Sequence, residues 1–99
     1  AISALFSPND PVFAKSRWIW VTESETSNFY MKDIKGNGTL RRFERQVVPK
    51  KDATERWTVT AQANCATWSL RFKYTDGWDD WDEMLPGTIG DDELIMVCN

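Results

Sequence analysis

The chain has 99 residues, 41% of them hydrophobic, with six Trp, five Phe and two Tyr. That is one domain, 1–99, with enough aromatic mass for a core, which argues against intrinsic disorder; no apolar run approaches the ~18–20 residues of a membrane span. Its formal charge of −3 is polarised, with all twelve Lys and Arg among residues 1–75 and eight acids without a base in 76–99, which disfavours a nucleic-acid surface on that acidic part.

Pro8 and Pro11 break regular structure in residues 1–16, so an irregular lead-in is expected, with an edge strand near Val12–Ala14. The chain begins at Ala1 rather than Met, which fits a mature chain without its leader. Arg17–Thr22 is rich in β-formers and reads as a strand, Trp18 and Trp20 sharing one face, at least one of them in the core. After a polar loop, Phe29–Ile34 reads as a second strand. Lys35-Gly36-Asn37-Gly38 is a turn signal, because Asn-Gly tolerates positive φ.

Thr39–Val48 is expected as a long strand with Phe43, Arg45 and Val47 on one face and Arg42, Glu44, Gln46 and Val48 on the other. The basic residues Arg41, Arg42 and Arg45 read as a solvated strand face rather than phosphate contacts. Asp52 caps a possible helical turn with Glu55 three residues on. Glu55–Gln62 places Trp57, Val59 and Ala61 inward. The clearest alternation follows, with Trp68, Leu70, Phe72 and Tyr74 against Ser69, Arg71 and Lys73. Trp57 and Trp68 are therefore expected in the core. Leu94–Cys98, apolar on both faces, reads as a final buried strand. Short strands separated by turn signals predict an all-β fold, an antiparallel β-sandwich of jelly-roll-like type.

Cys65 and Cys98 are the two cysteines, and the even count fits one disulfide in an oxidising compartment; two buried thiols are the alternative. The bridge would close a loop of some 34 residues, worth roughly 3–4 kcal/mol. Asn37-Gly38-Thr39 is a glycosylation sequon at Asn37, which fits a secreted protein.

The stretch Lys73–Glu83 concentrates Trp78, Trp81, Asp76, Asp79, Asp80, Asp82 and Glu83 between two strand signals. Flat indoles stack on sugar rings, and carboxylates accept from sugar hydroxyls. Trp78 and Trp81 with Asp79, Asp80 and Asp76 are thus the candidate carbohydrate-binding residues, although either Trp could instead plug the core. A turn of helix at Trp81–Leu85 is one reading of their spacing. The absence of histidine removes Ser-His-Asp and Cys-His catalysis and the commonest zinc ligand. Asp79 with Asp82, or Asp80 with Glu83, is a conceivable glycosidase pair, but so small a domain rarely builds the necessary cleft, and no catalytic residue is assigned. Calcium held by Asp76, Asp79, Asp80, Asp91 and Asp92 is set against a solvated acidic face, which is preferred. Neither metal nor cofactor is expected.

Several pieces occur in the order of a known module. Arg17-Trp18-Ile19-Trp20, Arg41-Arg42-Phe43-Glu44-Arg45-Gln46-Val47, Thr58-Val59-Thr60-Ala61-Gln62-Ala63-Asn64, Gly77-Trp78-Asp79-Asp80-Trp81, and Leu85-Pro86-Gly87 followed by Leu94–Asn99 resemble stretches of galactose-binding-like jelly-roll domains. Such domains accompany α-L-rhamnosidase and other glycoside-hydrolase catalytic domains. The resemblance spans residues 17–99 and implies a β-sandwich that binds carbohydrate or supports something that does. Two departures stand out. Leu70–Gly77 replaces the family's usual hairpin, and the chain stops at Asn99 without closing strands, so a partner chain, a second copy or residues 1–16 would cover the sheet edge. The expectation is a small, secreted, lectin-like protein that is not an enzyme, a homo-oligomer that binds a glycan without nucleic acid or membrane insertion. The alternatives are a secreted effector, toxin or inhibitor aimed at another protein, served by the charge polarity, and a non-catalytic subunit of a larger protein.

Overall fold

A computed structural model describes residues 17–99; the expected lead-in and its Val12–Ala14 edge strand lie outside the described residues. The chain runs through β1 (Ile19–Glu23), β2 (Ser27–Lys35), β3 (Leu40–Pro49), a 3-10 turn at Ala53–Glu55, β4 (Trp57–Asn64), β5 (Ser69–Tyr74), β6 (Gly77–Trp78), β7 (Asp82–Glu83) and α1 (Ile89–Cys98). The strands form one antiparallel sheet in the order β1-β2-β3-β4-β5-β6, with β7 also on β5. Every neighbouring pair is consecutive in sequence apart from β5–β7, so short turns suffice to build the sheet.

The turns follow local chemistry. Between β2 and β3 the left-handed residues are Gly36 and Gly38, with φ of 97° and 72°, rather than the Asn-Gly pair. A Cβ on Gly36 would lie 2.7 Å from the Leu40 carbonyl oxygen, so the turn closes only around a glycine. Asp52 caps the 3-10 turn as expected, its carboxylate accepting from the Thr54 amide at 3.0 Å.

The period-two pattern sorts the two faces. Phe29 and Met31 of β2, Phe43 and Val47 of β3, Val59, Ala61 and Ala63 of β4, and Leu70 of β5 are buried on one face. Leu94 and Val97 of α1 pack onto Met31, Phe43, Ala61, Ala63 and Leu70 there. The short side chains of Ala61 and Ala63 leave room for the helix. The fold is predominantly antiparallel β and sandwich-like, with the sheet as one layer and α1 as the other.

The segment Leu94–Cys98 is thus helical, not a strand. An apolar run of five cannot set its own period. The residues before it decide: Thr88 caps the helix, its hydroxyl accepting from the Asp91 amide at 3.2 Å, and Asp91 and Asp92 occupy the first turn. Gly90, Glu93, Leu94 and Val97 then fall on the buried side at helical spacing.

The Cys65–Cys98 disulfide is present, with Cα atoms 5.8 Å apart, and ties the end of α1 to the β4–β5 turn. Arg41 donates to the Val97 carbonyl at 2.9 Å, satisfying a carbonyl of the last helical turn. A second tie is ionic. Arg45 points inward with Phe43 and Val47, not into solvent, and its guanidinium donates to both Glu93 oxygens at 2.8 and 2.6 Å. Glu93 is 0% exposed. Phe72 lies 4.4 Å from the Arg45 guanidinium and Phe29 5.5 Å, so the cation is held between rings.

The tryptophans assigned to the core correct the sequence expectation. Trp57 is 49% exposed, because β4 begins there, at the end of the sheet away from α1's contacts with Ala61 and Ala63. Trp20 is 50% exposed and bonds outward, its indole N–H donating to Asn28 Oδ1 at 3.0 Å. Trp18 is half-buried beneath the Lys32 ammonium, 4.6 Å from its ring centre, and is no part of the core. Trp68 packs against the core but precedes β5 with φ of 57°, its indole N–H donating to Asp91 Oδ1 at 2.7 Å.

Candidate functional site

The face opposite α1 carries no helix among the described residues, and strand register sets what it displays. Lys35, Arg42, Gln62 and Arg71 are successive cross-strand partners from β2 to β5. Lys32, Glu44, Thr60, Lys73 and Trp78 form the adjacent row from β2 to β6. Strands are spaced by roughly 4.8 Å, so the second row extends over about 19 Å.

The acidic tryptophan stretch is an edge strand of this sheet, not a loop or a turn of helix. Gly77 and Trp78 pair with Tyr74 and Lys73, and Asp82 and Glu83 pair with Leu70 and Ser69. Three residues, 79–81, therefore stand opposite Arg71 and Phe72, and the extra one makes a bulge. Asp79 holds that bulge. Its amide donates to the Phe72 carbonyl at 3.0 Å, and its carboxylate accepts from the Phe72 amide at 2.6 Å. The side chain replaces the ladder carbonyl that the bulge displaces.

The bulge turns both indoles onto the open face around one cation. The Arg71 guanidinium lies 5.0 Å from the Trp78 ring centre and 4.5 Å from that of Trp81. Arg42 approaches Trp78 from β3, three strands away, at 5.9 Å. Arg71 is fixed from below by Gln62, whose Oε1 accepts from its Nε at 2.9 Å and from an Nη at 2.7 Å. Trp81 is 39% exposed and Trp78 half-buried, so neither plugs the core. The cluster offers indole surface, the Arg71 donors and the Gln62 amide nitrogen, which makes no bond among the described residues.

A depression of about 500 Å³ opens on the same face, lined by Trp18, Lys32, Asp33, Lys35, Arg42, Glu44 and Thr58. Arg42 belongs to both the depression and the tryptophan cluster. A shallower hollow of about 330 Å³ beside it is lined by Trp18, Tyr30, Gln46, Val48 and Arg56.

The five residues expected to hold a sugar thus separate. Trp78 and Trp81 come together around Arg71. Asp79 is occupied by the Phe72 amide. Asp80 in the bulge and Asp76 in the β5–β6 turn are exposed. Charged residues on an outer strand also discourage pairing with another sheet, which accounts for part of the acidic composition without a ligand. The calcium grouping is not assembled: among the described residues no three acidic groups converge on a metal position. Asp91 instead accepts from Trp68 and from the Gly87 amide at 3.0 Å, and these bonds, the indole first, hold its carboxyl below the ordinary value. Asn37 is exposed in the turn between Gly36 and Gly38.

Arg71, Gln62, Arg42, Lys32 and Trp18 were not singled out from sequence. Alternation did put Arg71, Gln62 and Arg42 on outward faces, but their meeting depends on the register of β2 to β5. No helix is long and apolar enough to cross a membrane among the described residues. In comparisons with known proteins, no family model, no curated protein and no solved structure matches this chain.

Proposed function

We propose that this protein is a secreted, non-catalytic carbohydrate-binding protein whose site is the open sheet face at its tryptophan edge. The observation that carries the proposal is the Trp78–Arg71–Trp81 cluster, two indoles at 5.0 and 4.5 Å from one guanidinium anchored by Gln62. Ring faces take the C–H side of a sugar, and fixed polar groups orient its hydroxyls. The Cys65–Cys98 bridge supports an oxidising compartment. The resemblance to galactose-binding-like modules points the same way, although the segment matched to their last strand forms α1 here. Asp80 and Asp76 serve as outer acceptors in this reading, whereas Asp79 shapes the site without touching the ligand. Self-association through the β1 edge of the sheet, opposite the charged β6–β7 edge, belongs to the same proposal and is read from the mass of the native particle.

Glycan-array screening of the whole protein, followed by titration calorimetry, tests this. A bound saccharide is expected to change tryptophan fluorescence, and Trp78→Ala and Trp81→Ala are each expected to weaken binding by about tenfold or more, from stacking worth ~1–1.5 kcal/mol beyond area. An array without binders, or wild-type affinity in both variants, would refute it.

A further inference from the structure

The open face is cationic although the protein is acidic, and this difference selects among glycans. Lys32, Lys35, Arg42, Arg71 and Lys73 project from the two rows that cross β2 to β6. Two carboxylates, Asp33 and Glu44, line the depression beside them. Glu44 is engaged by the Thr60 hydroxyl at 3.0 Å. None of the five cations forms an ion pair among the described residues, where the pairs are Arg45–Glu93 and Lys50–Glu23. Indole rings hold three of them in place: Lys32 on Trp18, and Arg42 and Arg71 on Trp78. Five cations against two lining carboxylates leave the face net positive, and the three that rings hold are arranged for an anion, because their ordering is complete before the ligand arrives.

Resting on the carbohydrate reading, we propose that the ligand is an acidic polysaccharide, a chain of sugar rings bearing carboxylate or sulfate groups. Its rings lie along Trp78 and Trp81, and its acid groups meet Arg71, Arg42 and the Lys32–Lys35 side of the depression. Arg42, shared by cluster and depression, makes the path continuous over about 19 Å, the length of an oligosaccharide rather than of one ring. Nucleic acid is the rival polyanion. The rim beside the two indoles carries Asp76, Asp80, Asp82 and Glu83, all exposed, and a phosphate on every nucleotide would be repelled there. An acidic polysaccharide in which charged rings alternate with uncharged ones can lay an uncharged ring beside that rim.

The test is binding of the full chain to four polymers, hyaluronate, kappa-carrageenan, neutral dextran and single-stranded poly(U), at two salt concentrations; the first two carry one carboxylate or one sulfate on every second ring. Variants Arg42→Gln and Lys35→Gln probe the face, and Lys51→Gln, in the turn after β3, reports nonspecific attraction. Hyaluronate or kappa-carrageenan is expected to bind, more weakly at higher salt, and the arm that binds tells carboxylate from sulfate. Arg42→Gln is expected to weaken that binding about tenfold, as for loss of a charged hydrogen bond, with Lys51→Gln unchanged. Binding of neutral dextran with equal strength overturns the acidic preference but leaves carbohydrate binding standing. Binding of none of the saccharides overturns both. Stronger binding of poly(U), lost in Arg42→Gln, assigns the face to nucleic acid. Equal losses in Lys51→Gln and Arg42→Gln reduce the effect to overall charge and also overturn the proposal.

Discussion

Replacing Glu93 by leucine strips both carboxylate oxygens from the Arg45 guanidinium, which they hold at 2.6 and 2.8 Å. Leucine fills much of the same space, so the change probes the stranded cation more than a cavity. Breaking a buried pair from one side costs about 3–5 kcal/mol, because the remaining charge stays buried without a partner. The Arg45 side chain is 15% exposed and can hydrate in part, whereas that of Glu93 is 0% exposed and cannot. Glu93→Leu is therefore expected at the low end, ~3 kcal/mol, and Arg45→Met at the high end, ~5 kcal/mol. For a domain near 100 residues, ~3 kcal/mol corresponds to a fall in Tm of roughly 12–24 °C. The double variant Arg45→Met/Glu93→Leu replaces the pair by apolar groups and should lie within ~1 kcal/mol of wild type. Urea and thermal unfolding followed by circular dichroism, with the disulfide intact, measure all four proteins. The reasoning is refuted if Glu93→Leu costs under ~0.5 kcal/mol, or if the double variant loses the sum of the singles, since the expected coupling is several kcal/mol.

Two further expectations follow from single side chains. The Asp91 carboxyl is depressed below 3.8, first by the Trp68 indole and then by the Gly87 amide. The unfolded chain then binds more protons through that range, so the stabilisation is complete above 3.8 and is lost as pH falls through the folded value. Asp91→Asn should be less stable than wild type at neutral pH, with the gap closing on acidification; a gap independent of pH would reject this linkage. Asp79→Ala removes the acceptor of the exposed Phe72 amide and is expected to cost ~1 kcal/mol. Hydrogen exchange at Phe72 should accelerate while exchange in β3 and β4 stays unchanged, and an unaltered Phe72 rate would show that Asp79 does not hold the bulge.

The misplaced features share a cause. Alternation of polar and apolar residues identified β3, β4 and β5 and the inward set Phe43, Val59, Ala61 and Leu70, because a half-buried strand imposes a period of two on its own sequence. The same rule put Trp57 inside, although the helix layer does not cover that end of β4. Arg45 was read as solvated although it shares a face with Phe43 and Val47, since its partner Glu93 is 48 residues away, just before the run misread as a strand. Trp81-Asp82-Glu83 carried no period, because a bulge shifts the alternation in the middle of the edge strand.

The amino-acid sequence by itself determined an antiparallel β domain, its turns, its Cys65–Cys98 pairing and the split of charge between residues 1–75 and 76–99. These are local or pairwise properties, written in spacing and residue type. Only the tertiary structure decided that Leu94–Cys98 is a helix, since a cap at Thr88 and a buried seat on Ala61 and Ala63 outweigh the β-like composition of the run. It alone also brought Trp78 and Trp81 together around Arg71 and aligned Arg71 with Gln62, Arg42 and Lys35. The register between strands far apart in sequence is set by the whole buried face at once, and no segment of the chain carries it.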